Sequence, residues 1–148
     1  MGYYPIFAKT IHMVTSKVKY VGQLRTEASH LQSGVLIQTD APKDNQGKGE
    51  AFSPTDLVAT ALATCIVTTI AIKASNDGMT DIKGTQAEVL KVMYADPRKI
   101  GEIHVKIAFP AGNYSDKEKK IYENTAHSCP VARSLHPDLK QVLVFVWP

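Results

Sequence analysis

The chain carries two thiols, and their settings differ. Cys65 lies inside residues 57–72, a stretch without a single charged side chain. Cys129 stands in His127-Ser128-Cys129-Pro130-Val131-Ala132, directly before a proline suited to the first position of a short helix. A thiolate can attack an electrophile, ligate a metal or form half of a disulfide. Two thiols this far apart in sequence can cooperate only if the fold brings them together. Otherwise each is a small buried side chain, as free cysteines often are.

Position along a helix separates the two further. Cys65 follows Pro54 by about 16 Å of helix axis at roughly 1.5 Å per residue, beyond the reach of the helix dipole. A reactive Cys65 therefore needs a cation supplied from elsewhere, such as an arginine. Cys129 sits where the amides of a helix start point outward, and on that argument is expected to be the more acidic thiol. Cys65, His127, Cys129 and His136 have the residue types of a zinc site, but no Cys-x-x-Cys pair exists. His127 or His30 could serve a cysteine-histidine hydrolase by residue type alone. His12, His30 and His104 read as strand or loop residues without a partner in sequence.

Composition narrows the function classes. The 148 residues, 44% hydrophobic and 21% charged, suit one globular domain over 1–148. A chain of this size buries roughly 68–70% of its unfolded surface and needs no disulfide staple. The net charge of +3 is scattered, which argues against nucleic acid and anionic membranes. The N-terminal residues lack the pattern of a signal peptide, and Ile6 stands where myristoylation wants Ser or Thr. The uncharged stretch at 57–72 falls short of the roughly 20 residues that span a bilayer. The expectation is a cytoplasmic protein, where paired cysteines are more often catalytic or redox-active than structural. The loop at 40–50 has neither P-loop nor calcium-loop spacing, and no cofactor is implied. It is expected to be mobile and close to the active site.

The elements that would position the thiols are legible in outline. Strands are expected over 16–38, with Ser33-Gly34 as a hairpin turn. Ser53, Pro54 and Asp56 open a helix over 54–74 that ends at Asn76-Asp77-Gly78. This helix is apolar all round, which means burial on every side. One small subunit can hardly wrap it, so a partner subunit is expected to cover part of it. Strands at 87–94 and 103–109 follow, with a turn at Asp96-Pro97-Arg98-Lys99. Ser115 and Glu118 form a capping box for a helix ending near His127, and a short helix at 130–135 precedes a last strand at 142–146. The class is α+β.

Four segments together resemble the OsmC/Ohr family, the osmotically inducible and organic hydroperoxide resistance proteins. They are Gly22-Gln23-Leu24-Arg25-Thr26-Glu27-Ala28, residues 47–57 with Ser53-Pro54-Thr55-Asp56-Leu57, Ala63-Thr64-Cys65, and Cys129-Pro130-Val131. The resemblance implies an OsmC-like intertwined homodimer whose long central helices are buried against antiparallel sheets. It implies that Cys65 attacks a peroxide to become a sulfenic acid, and that Cys129 condenses with it to a disulfide. A small dithiol or protein dithiol then reduces that disulfide. Arg25 matches the arginine that stabilises the attacking thiolate. The family's peroxidases hold that arginine with a glutamate where this chain has Thr55. Glu50 is taken as its replacement in preference to Asp56.

The first reading is thus a thiol peroxidase acting on organic hydroperoxides, and on hydrogen peroxide as a further candidate substrate. The alternative is a non-catalytic relative that binds a small hydrophobic ligand or senses redox state at the dimer interface. A thiol enzyme of another reaction type is the third.

Overall fold

Alternating strands separated by tight turns build the N-terminal part of the chain. The structure, a computed structural model, describes residues 13–148, so His12 and the N-terminal segment before it lie outside the described residues. Strands β1 (Ser16–Gly22), β2 (Arg25–His30) and β3 (Leu36–Asp40) form an antiparallel meander in the order β1-β2-β3. The turn between β1 and β2 consists of Gln23 and Leu24, with φ of 53° and 59°. Both residues are left-handed, the geometry that matches strand twist but usually calls for Asn-Gly. The expected turn at Ser33-Gly34 joins β2 to β3 and sets Arg25 directly opposite Asp40.

The loop after β3 is held by internal backbone hydrogen bonds. A single 3-10 turn forms at Lys43–Asn45. The amides of Asn45 and Gly47 both donate to the Pro42 carbonyl at 2.9 Å. Gly47 packs so closely on Ala41 that a Cβ there would lie 1.6 Å from its carbonyl oxygen, so no other residue fits without moving the backbone. The chain returns along β3, where the Asp40 amide donates to the Phe52 carbonyl at 3.1 Å.

The described residues divide into two compact units whose boundary falls within the first turn of a helix, one ending at Pro54 and the other Thr55–Pro148. The second opens with helix α1 (Pro54–Asn76) and continues through β4 (Gln86–Ala95), β5 (Arg98–Ala108), α2 (Asp116–His127), α3 (Pro130–Ser134) and β6 (Lys140–Val146). Gly78 provides the left-handed helix exit at φ 60°, and the Met79 amide returns to the Ala74 carbonyl at 2.9 Å. β4 and β5 pair antiparallel as expected; β4 runs one residue past each expected end, whereas β5 starts earlier than expected, at Arg98, and stops one residue short, at Ala108. β6 joins β5 parallel, so this sheet is mixed and not wholly antiparallel. The crossover through α2 and α3 makes that parallel pairing possible.

The core of this unit forms between α1 and the inner face of β5. Ala59, Leu62, Ala63, Ile66, Ile70 and Ala74 recur every three or four residues and are buried, together with Ile103, Val105 and Ile107 from alternate positions of β5. α1 is therefore one-sided within its own chain: Val58 and Ile72, off this face, are exposed. α1 has 23 residues and an 18-residue window of mean hydropathy 1.9, so it is long and apolar enough to cross a membrane by length and composition, but its buried face is core here. Phe109, Tyr114, Tyr122 and Trp147 form an aromatic cluster, with the Phe109 and Trp147 rings stacked at 3.9 Å between centroids.

Candidate active site

The C-terminal unit brings the two cysteines together. Cys65 lies on α1 one residue before buried Ile66, which leaves its side chain half-buried at the margin of the core. Cys129 caps α3 from within the core and is fully buried. Both are free thiols, and Cys65 packs against the core that holds Cys129, close enough to disfavour the Cys129 thiolate. The Thr69 hydroxyl, one turn along α1, donates to the Cys65 carbonyl at 2.7 Å and stands 3.9 Å from its sulfur.

Cys129 does not have the acidity that its cap position suggests. Its sulfur accepts the Ala132 amide at 3.3 Å, and that contact favours a thiolate. Burial is the larger effect and pushes the thiol above its ordinary value, with the neighbouring Cys65 adding to the rise. A five-residue helix offers few amides, and a sulfur sealed from water loses more than they return.

The N-terminal unit holds the second group. Arg25 Nε and Nη2 donate to the two oxygens of Asp40 at 2.7 and 2.8 Å, a bidentate pair across the β2–β3 ladder. Nη2 also donates to Glu50 Oε2 at 2.9 Å. Asp40 is 1% exposed and also accepts the Glu50 amide at 3.0 Å. The Arg25 hydrogen bonds hold the Asp40 carboxyl down at about 2, against the cost of its burial. The same partners raise Arg25 further above its already high value.

Asp40 is the residue that sequence reasoning missed. In the sequence it stands as the first residue of the polar loop at 40–50. A hairpin folded about 31–35 nevertheless places position 25 opposite position 40, and that register could have found it. Asp56, weighed against Glu50, accepts Lys91 Nζ at 2.7 Å, and Lys91 also donates to Thr55 at 2.8 Å. Among the described residues, no three His, Cys, Asp or Glu side chains gather as a metal site.

Residues 47–142 match the family model described as OsmC-like protein. The chain belongs to the OsmC-like family. This OsmC-like chain is also 57% identical to a protein of Psychrobacter arcticus provisionally assigned to osmotic stress induction and detoxification response. That alignment covers 93% of this chain and 98% of the other, with a TM-score of 0.87. An organic hydroperoxide resistance protein OsmC of Legionella pneumophila shares 18% identity over 93% and 99% of the two chains, at a TM-score of 0.70. An organic hydroperoxide resistance protein of Elizabethkingia anophelis shares 13% over 95% and 99%, at 0.68. At such identities the last two establish the fold alone. No curated protein matches the OsmC-like chain.

Proposed function

We propose that this protein is a thiol-dependent peroxidase that reduces organic hydroperoxides with Cys65 and Cys129. The observation that carries the reading is the proximity of two free thiols that are distant in sequence, one half-buried and one sealed in the core. The Cys65 thiolate attacks the terminal peroxide oxygen, the O–O bond breaks, and the alkoxide takes a proton and leaves as the alcohol. Cys65 is then a sulfenic acid. The Cys129 sulfur displaces that hydroxyl as water, giving the disulfide. An external dithiol returns two electrons through a mixed disulfide.

The difference in burial supports different parts for the two thiols. Attack requires access, which half-buried Cys65 has and Cys129 lacks. Resolution requires only a neighbouring sulfur, so burial does not disqualify Cys129. Arg25 supplies the cation, and Glu50 helps to hold it. The family relationship supports redox chemistry of this type. The assembly is a cytoplasmic homodimer.

One equivalent of cumene hydroperoxide should remove two free thiols and leave an intramolecular Cys65–Cys129 disulfide without a crosslink between chains. Dithiothreitol should sustain turnover. Cys65→Ser should abolish turnover, and Cys129→Ser should leave a sulfenic acid on Cys65 that dimedone traps. Arg25→Met should slow sulfenate formation at least about tenfold, near 1.4 kcal/mol in barrier. Full activity in Cys65→Ser would end the assignment. A wild-type protein inert to peroxide would favour the non-catalytic reading.

A further inference from the structure

Three features bear on how Arg25 is held. Asp40 takes two of its nitrogens in a fork, whereas Glu50 takes one. Asp40 is 1% exposed and Glu50 is 64% exposed, so solvent screens the second pair much more than the first. Asp40 also fixes Glu50 itself, through the Glu50 amide at 3.0 Å. The hierarchy is one-directional: the buried acid holds the cation and places the outer acid.

The charge count adds a constraint. One guanidinium against two carboxylates gives the trio a formal charge of −1, which does not favour an anion at a distance. Arg25 can assist a thiolate or a peroxide oxygen only through a direct hydrogen bond. Neither carboxylate takes Nη1; their bonds use Nε and Nη2. The guanidinium is planar and rigid, so clamping that edge fixes the direction in which Nη1 points.

We propose that Asp40 is the positioning residue of the reaction. It locks Arg25 through Nε and Nη2 and leaves Nη1 outside the carboxylate fork, and Glu50 is a secondary support. The proposal rests on the peroxidase reading and assigns the holding role to a residue of β3 in place of the helix-start acid that Thr55 replaces.

The test uses the full chain in a Cys129→Ser background, with cumene hydroperoxide as probe and dimedone trapping as readout across pH. Asp40→Asn is nearly isosteric but turns an amide toward the Arg25 donors. It should slow sulfenate formation at least about tenfold and displace the pH–rate profile in the same sense as Arg25→Met. The double variant should be no slower than Arg25→Met alone, because both substitutions remove one function. Glu50→Gln should cost less than about threefold. Arg25→Lys keeps the charge but not the fork and should resemble Arg25→Met, which keeps the proposal testable if Asp40→Asn does not fold.

Parent-like rates in Asp40→Asn or Arg25→Lys, beside a slow Arg25→Met, would overturn the positioning role and leave the peroxidase reading standing. Multiplicative losses in the double variant would also overturn it. A parent protein that forms no sulfenate would instead remove the peroxidase reading, and the positioning role with it.

Discussion

At the residue scale, Cys129 shows two opposing effects acting on one sulfur. The helix-start amides favour its thiolate, whereas complete burial disfavours it, and burial prevails. A thiol held neutral until its neighbour is oxidised is suited to resolution and not to first attack. In Cys65→Ser, with Cys129 the remaining thiol, the pH midpoint for reaction with iodoacetamide should lie above that of a cysteine peptide in the same buffer. A midpoint below the peptide's would mean that the amides of α3 outweigh desolvation. Arg25 and Asp40 show the converse case, in which a buried charge is tolerated because every bond it needs is present.

At the scale of elements, Glu118 links helix start to core. Its Oε2 accepts the Ser115 amide and hydroxyl at 2.9 and 2.7 Å, closing the capping box. Its Oε1 accepts the Thr80 amide and hydroxyl, each at 2.9 Å, tying α2 to the segment that follows α1. Four donors, led by the Thr80 amide, hold the carboxyl down at about 2. A depressed folded-state value means stability that is present above the ordinary carboxylate range and lost as pH falls toward about 2. Asp40 acts in the same window. Urea unfolding should therefore show stability falling through that window. Glu118→Gln should be less stable at pH 7 and should show a flatter acid limb, and acid limbs of equal slope would contradict this account.

At the scale of the whole molecule, the unsolved requirement is cover for apolar surface. Val58 and Ile72 on α1 are exposed, as are Val18, Tyr20 and Leu36 on the first sheet at 68%, 62% and 69%. Exposed apolar side chains gathered in this way are characteristic of interaction surfaces. A homodimer would complete the burial of α1 that its uncharged sequence demands. Light scattering at micromolar concentration should give twice the 16.2 kDa of one chain. A clean monomer mass would count against that assembly and against α1 as its centre.

Local rules were enough to read the capping box of α2, the exit of α1 at Gly78, the hairpin turn at Ser33-Gly34 and the cap position of Cys129. In each case neighbouring residues satisfy the backbone. Several other features were decided only by tertiary structure. β6 lies parallel to β5 because a crossover of two helices returns the chain in that sense. Asp40 pairs with Arg25 because strand register sets the two opposite each other, and its burial makes that pairing strong. The meeting of Cys65 with Cys129 depends on how α1 and α3 pack, which neither helix encodes alone. The acidity of Cys129 followed its burial and not its helix position, because desolvation depends on everything that surrounds a group, whereas a cap depends only on the residues next to it.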